Sequence, residues 1–189
     1  MHPVAVVTDS TAYLPDDVLA AQDIHTVPLS VLFADGTSSL ETELSDRAAY
    51  WRRLADLEQL PTTSQPSVGA FTEVYEPLLA AGSDIVSVHL SGAISGTAAS
   101  AELAAETMRA RHPDRTIIVC DSRTAGGGLG LAALAATAAA RSGEPASSLV
   151  PNCLATGTEL RRRNSGNSRP TAATRHSPPS TVFCSPWSN

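Results

Sequence analysis

Two hydroxyl-rich segments of this chain have the residue types and the spacing to bind an anionic head group. The first spans residues 62–67 and the second spans residues 90–97, and each precedes a predicted helix. Hydroxyls and the unpaired N–H groups at a helix start donate hydrogen bonds to oxyanions. In the second segment Gly96 lies between Ser95 and Thr97, so an anion can approach the backbone closely. Together the two segments predict one anion site.

The residues around these segments predict an α/β domain. Strands are expected at residues 4–7, 84–90 and 115–121, where β-branched and apolar residues are concentrated. Pro28 has no amide hydrogen, so residues 25–33 are predicted to form one edge strand or a bulged strand. Alternating strands and helices predict a mainly parallel sheet with helices on both faces. The helices are expected from residue 15 and over residues 45–57, 68–81, 98–110 and 126–141.

Three of the predicted strands lead into polar residues, at Asp9, Ser91 and Asp121. In open parallel sheets the ligand lies beyond the carboxyl ends of the strands. The loops after these strands are therefore expected to meet the two hydroxyl-rich segments. On this basis Asp9 and Ser10 are assigned to the loops that support the head-group site.

Composition excludes several classes of partner. The formal net charge is −6 and the isoelectric point is about 5.3, whereas a nucleic-acid-binding face needs clustered basic residues. The three cysteines have no paired spacing, so neither a metal site nor a disulfide framework is predicted, and no cofactor is indicated. No apolar run reaches the length of a membrane span, and the first residues do not resemble a signal peptide. A cytoplasmic location is expected.

Catalytic interpretations have weaker support in the residues. The segment from Gly92 to Gly96 has its serine in GxxSG spacing, whereas a nucleophile elbow requires GxSxG. His89 lies in a predicted strand, which is a poor place for a general base. The open alternative is a phosphatase-like or kinase-like enzyme that acts on a small phosphorylated substrate through Asp9 or Asp121. The residues favour a binding protein, and no residue is predicted to be catalytic. The protein is therefore not expected to be an enzyme.

The sequence pattern changes at about residue 150. Residues 1–150 carry the predicted strands and helices, whereas residues 151–189 are rich in Ser, Thr, Pro, Asn, Gly and Arg and show no periodicity. Such a segment buries too little apolar surface to offset the entropy of ordering it. The sequence therefore predicts one folded domain at 1–150 and a disordered tail at 151–189.

Four motifs, in this order, resemble the DegV family of bacterial fatty-acid-binding proteins. They are Val7-Thr8-Asp9-Ser10-Thr11-Ala12, Thr63-Ser64-Gln65-Pro66-Ser67, the segment from Leu90 through Ser95-Gly96-Thr97 to Ala101, and Val119-Cys120-Asp121-Ser122. The resemblance covers nearly all of residues 3–143. It implies a two-domain α/β protein that holds a long-chain fatty acid between its domains. It also implies a carrier that, in many bacteria, presents the carboxylate to a separate fatty acid kinase.

The resemblance further implies which residues of this chain bind the head group. The hydroxyls of Thr63 and Ser95 would hold the carboxylate, the Gly96 backbone would assist, and Ser64 and Thr97 would lie close by. Neutral donors suit an acid that is handed on, because a buried arginine pair would bind it more tightly. The head group would then set the orientation of the ligand, and its tail would set the affinity.

The resemblance is limited to the N-terminal part of the family. Family members are longer, and their second domain has no counterpart after Ala146. Residues 151–189 are interpreted as the product of a truncated or frameshifted coding sequence. Loss of a second domain would remove one wall of the tail pocket, so weak lipid binding and poor solubility are expected. A nonfunctional truncated remnant is the remaining alternative.

Overall fold

The computed structural model describes residues 2–44, 50, 52, 54–55 and 59–149. Strands and helices alternate along most of this part of the chain, as the hydrophobic pattern predicts. The strands are β1 Val4–Asp9, β2 Ile24–Val27, β3 Ser30–Leu32, β4 Ser38–Leu40, β5 Thr62–Ser64, β6 Asp84–His89 and β7 Ile117–Asp121. The helices are α1 Asp16–Gln22, α2 Val68–Ala80, α3 Thr97–Arg111 and α4 Gly127–Arg141, with short 3-10 turns at Ser10–Ala12 and Glu41–Glu43.

Four parallel strands form the first sheet, in the order β2-β1-β6-β7. In the register of the central pair Val6 lies opposite Val86, and in the β6–β7 pair Val86 lies opposite Ile118. The carboxyl ends of β1, β6 and β7 therefore meet at one edge, where Asp9, His89 and Asp121 lie side by side. The prediction of an α/β fold with a mainly parallel sheet is confirmed.

The two faces of the first sheet are covered by different helices. On one face Val7, Ile85 and Ile117 pack against α2 and α3, and on the other face Val6 and Val86 pack against α4. Successive strand residues point to opposite faces, which is why apolar runs without alternation form these doubly covered strands. Helices on both faces are thus confirmed.

A second, antiparallel sheet in the order β4-β3-β5 was not predicted from the sequence. Its register places Val31 between Ser39 on one side and Thr63 on the other. The prediction of one strand at 25–33 is wrong, because the chain leaves the first sheet at Pro28 and enters the second at Ser30. No strand was predicted in the first hydroxyl-rich segment either, and there Thr62–Ser64 forms β5.

The last residue of the first hydroxyl-rich segment fixes the start of α2. Ser67 caps α2, since its hydroxyl accepts a hydrogen bond from the Ala70 N–H at 3.1 Å.

Most of the helix predicted at 45–57 lies outside the described residues, and positions 50, 52, 54 and 55 are helical. The tail predicted at 151–189 also lies outside the described residues.

Gly130 brings α4 close to the turn that follows β1. A methyl group on Gly130 would lie 2.9 Å from the Ala12 carbonyl oxygen, a backbone atom with little room to move. We expect Gly130→Ala to lower the free energy of unfolding by about 1–2 kcal/mol, since overpacking outweighs the helix propensity gained. Gly127→Ala is the matched control, because the added methyl group meets no heavy atom within 4 Å. Chemical denaturation of both variants should give opposite signs, and equal stabilisation would contradict the close packing.

Candidate functional site

A cleft of about 660 Å³ lies between the carboxyl edge of the first sheet and the second sheet. This volume falls in the range of about 300–1,000 Å³ that is typical of small-molecule sites. One wall comes from the loops after β1 and β6, and the other comes from β5 and the turns of the second sheet. The lining residues are Thr11, Tyr13, Leu29, Glu41, Thr63, Ser64, Gln65, Leu90, Ile94, Ser95 and Gly96.

Ser95 lies at the start of α3, and two groups of Thr97 contact its hydroxyl. The Thr97 N–H donates to Ser95 Oγ at 3.3 Å, and the two hydroxyl oxygens are 2.9 Å apart. Thr97 itself is buried. The helix N-terminus behind Ser95 carries a partial positive charge from the aligned peptide dipoles. An anion near Ser95 would therefore be stabilised by this end of α3.

A hydrogen-bonded cluster closes one end of the cleft around Glu41. The Ser10 hydroxyl donates to one carboxylate oxygen of Glu41, and the Tyr13 hydroxyl donates to the other at 2.9 Å. Ser10 Oγ also accepts from the Leu29 N–H at 3.0 Å. Ser10 and Tyr13 follow β1, whereas Glu41 follows β4. These bonds therefore tie the two sheets together at this end.

Asp9 lies beneath the cleft as a fully buried carboxylate with four hydrogen-bond donors. Its Oδ2 accepts from the Leu90 N–H at 3.0 Å and from His89 Nδ1 at 3.1 Å. Its Oδ1 accepts from the N–H of Thr11 at 3.1 Å and also from the Thr11 hydroxyl. Since Thr11 and Leu90 line the cleft, Asp9 holds the lining in place from below.

A buried relay extends from Asp9 through His89 and Ser87 to Tyr75 on α2. His89 Nε2 is 2.6 Å from Ser87 Oγ, which accepts from the Tyr75 hydroxyl at 2.7 Å. Ser87 Oγ can donate to His89 Nε2 or accept from it, and the Nδ1 proton of His89 points at Asp9 in either case. Every member of the relay therefore has a hydrogen-bond partner.

The surroundings of Asp9 and Tyr75 move their pKa values in opposite directions. Burial alone raises the pKa of Asp9, but hydrogen bonding and attraction from His89, with hydrogen bonds from Thr11 and Leu90, outweigh it and leave the pKa below its usual value. Burial raises the pKa of Tyr75 well above its ordinary value, and the hydrogen bond with Ser87 offsets only part of that rise. Asp9 is therefore ionised and Tyr75 neutral at physiological pH.

The structure brings four of the sequence-predicted site residues to one cleft, namely Thr63, Ser64, Ser95 and Gly96. Thr97 lies behind Ser95, Asp9 lies beneath the lining, and Ser10 lies in the cluster around Glu41. Each of these three contacts a lining residue through a hydrogen bond. These three residues therefore support the residues that line the cleft and do not line it themselves.

The buried hydrogen bonds of His89 were not predicted from the sequence, in which its place in a strand indicated only a poor general base. The available signal was polar residues at alternate positions of an otherwise apolar strand. Ser87 and His89 share the face of β6 that carries Ile85. Both are fully buried, and buried polar side chains need partners.

The acids proposed for an enzyme are committed to other contacts. Both Asp9 oxygens accept hydrogen bonds and the side chain has no exposed surface. Asp121 Oδ1 accepts from the Arg123 N–H at 2.8 Å, and Asp121 does not line the cleft.

Within the described residues no group of three potential metal ligands comes together. No described helix has the length and apolar character needed to cross a membrane.

Comparison with known proteins gives one consistent family. The model of the DegV family, described as an uncharacterised protein family, matches residues 3–155. A DegV domain-containing protein of Listeria innocua is 37% identical over 148 residues, which are 78% of this chain and 50% of the relative. A DegV domain-containing protein of Deinococcus radiodurans is 37% identical over 147 residues, with the same two shares. The chain spans about half the length of these curated relatives.

Solved structures agree with the sequence matches. The DegV family protein of Thermus thermophilus, described by its fatty acid binding, is 33% identical with a TM-score of 0.71 over 86% of this chain and 54% of its own. DegV of Bacillus subtilis, described as a fatty acid binding protein, is 31% identical with a TM-score of 0.70 over 86% of this chain and 55% of its own. The chain therefore belongs to the DegV family.

Proposed function

We propose that this chain binds a long-chain fatty acid and that the hydroxyls of Thr63 and Ser95 hold its carboxylate. The observation that carries the proposal is that these two hydroxyl residues, one on β5 and one in the loop after β6, line one cleft beside the start of α3. Fatty acid binding by the similar solved proteins supports the choice of ligand. Residues 1–150 form the lipid-binding domain in this proposal, and the protein acts in the cytoplasm.

The contacts around Ser95 make its hydroxyl a good donor to an anion. In the proposal, the N–H and the hydroxyl of Thr97 both donate to Ser95 Oγ, which leaves the Ser95 proton free for the guest. Donation into an oxygen polarises its own O–H bond and strengthens the bond that it makes. Thr63 and Ser64 supply further hydroxyls from the opposite wall, and the Gly96 backbone completes the set.

The tail of the acid supplies most of the affinity in this proposal. Leu29, Leu90, Ile94 and Tyr13 give the cleft its apolar lining, and Ile94 is exposed by 68%. Each buried methylene contributes about 0.8 kcal/mol, whereas each hydrogen bond to the ionised carboxylate contributes about 1.5–3 kcal/mol. A tail of more than about a dozen carbons therefore outweighs the head group.

The chemistry of the lining suits a carrier that releases its acid. Glu41 is the one charged residue among those that line the cleft in the described part of the chain, and it is an acid. A carboxylate held by neutral hydroxyls is bound less tightly than one held by a bidentate arginine. We propose that the carrier presents the carboxylate to a fatty acid kinase and does not itself transform it.

Replacing either hydroxyl should weaken binding of the acid. We expect Thr63→Ala and Ser95→Ala each to raise the dissociation constant for dodecanoic acid by about 10-fold to 100-fold, since each removes one hydrogen bond to a charged group. Isothermal titration of the full chain measures this change. Mass spectrometry of a lipid extract from the purified protein should show a copurified fatty acid.

Thr72→Ala is the matched control for these variants. Thr72 is a half-buried threonine on α2 whose hydroxyl donates to the Val68 carbonyl at 2.9 Å, outside the cleft. This variant should bind the acid as the parent chain does. Wild-type affinity in both Thr63→Ala and Ser95→Ala would rule out the proposed head-group site.

A further inference from the structure

Gln65 joins the two walls of the cleft through its side-chain amide. It follows β5 directly, and its Nε2 donates to Ser100 Oγ on α3 at 3.0 Å. Ser100 is buried. The bond links residues 35 positions apart and connects the wall that carries Thr63 with the helix that starts next to Ser95. It lies at the head-group end, where Gly96 and Ser64 also line the cleft.

The absence of a side chain on Gly96 allows this contact. A methyl group on Gly96 would lie 2.3 Å from Gln65 Oε1 and 2.8 Å from both Cδ and Nε2. The whole amide group of Gln65 therefore lies flat against the Gly96 backbone. A side chain on Gly96 would displace the Gln65 amide and so break its bond to Ser100, because Cβ atoms essentially never approach another atom that closely.

The spacing of the walls matters because the two hydroxyls lie on separate elements. Thr63 is held by its pairing with Val31 in the second sheet, and Ser95 lies in the loop after β6, where it is bonded to Thr97 at the start of α3. A carboxylate bonds to both only when the gap matches its size, and a misplacement of about 1 Å breaks a hydrogen bond. The Gln65–Ser100 bond connects the segment just after Thr63 with α3, which begins two residues after Ser95.

We propose that Gln65 is a positioning residue for the head-group site, which sets the distance between Thr63 and Ser95 and so makes the cleft selective for a carboxylate over an uncharged head group. This assignment rests on the proposed function. Gln65 does not need to touch the ligand in order to act in this way. Gly96 is its partner residue, because only glycine leaves room for the amide.

The test compares two ligands with the same tail and different heads, dodecanoic acid and dodecan-1-ol. In titrations of the full chain we expect the parent to prefer the acid, and Gln65→Ala to reduce the acid-to-alcohol ratio of affinities by about tenfold. The affinity for the alcohol should change less than about twofold, since the tail contacts remain. Gln65→Met, which keeps the bulk and loses the amide, should show the same loss of preference.

Gln22→Ala is the matched control, because its Oε1 accepts from Arg141 on the surface away from the cleft. It should keep the parent ratio. A Gln65→Ala variant that keeps the preference, or that loses acid and alcohol affinity equally, overturns the role of Gln65 while fatty acid binding stands. A parent chain without any preference for the acid overturns the proposed function, and this role with it.

Discussion

Asp9→Ala should lower the free energy of unfolding by about 3–5 kcal/mol, because it leaves the donors of Thr11, His89 and Leu90 buried without an acceptor. That loss is a large part of the total stability of an ordinary domain, about 5–15 kcal/mol. Chemical denaturation followed by circular dichroism measures it. Asp114→Ala is the control, since Asp114 is exposed and such surface changes stay within about 0.5 kcal/mol.

The pH dependence of the same variant checks the cause. The pKa of Asp9 is lower in the folded chain than in the unfolded chain, so its stabilising contribution is complete above the unfolded-state value of about 3.9. The contribution is lost as the pH falls through the folded-state pKa. The stability difference between the parent and Asp9→Ala should therefore shrink below about pH 4. A difference that is independent of pH would show that the charge of Asp9 does not matter.

Phe71→Ala should lower the free energy of unfolding by a similar amount, about 3–5 kcal/mol, because it removes a large buried ring and leaves a cavity. Phe71 has no exposed surface, and its ring centroid is 5.0 Å from that of His89 in an edge-to-face arrangement at 80°. It also lies 5.8 Å from the Tyr75 ring. Denaturation curves measure the loss, and the proton resonances of the His89 ring should shift when the aromatic neighbour is removed.

Leu131→Ala serves as the control for the loss of apolar volume. Leu131 lies on α4 with 48% of its surface exposed, so its truncation should cost no more than about 0.5 kcal/mol. Phe71→Leu should fall between the two, since it keeps most of the volume and loses the aromatic contact. A Phe71→Ala variant as stable as Leu131→Ala would contradict the packing of α2 against β6.

The elements of the first sheet could be predicted because local signals agree with the tertiary structure. In the apolar run at residues 4–7, Val6 and Val7 are buried on opposite faces of β1, and Ser67 marks the start of α2 by capping it. The position of Ser95 at the start of α3 follows from the glycine and hydroxyls around it. In these places the hydrophobic period and the capping chemistry point to the same element.

The second sheet could not be predicted because its strands are too short to carry a pattern. Strands β3, β4 and β5 have three residues each, which is less than a periodic signal needs. Thr62–Ser64 is exposed and polar, so only its pairing with β3 identifies it as a strand. The partners of Gln65 and His89 likewise depend on contacts over 35 and 80 residues of sequence, which no local pattern contains.

The unequal anchoring of the two sheets has a consequence for how a guest would enter. The loops after β1 and β6 are tied into the core by Asp9 and the buried relay, whereas β4 and β5 bury little of their surface. Elements with few buried apolar contacts separate from the rest of a domain at lower free energy than core strands do. We therefore expect the wall formed by β4 and β5 to yield before the loops after β1 and β6 when a ligand enters the cleft.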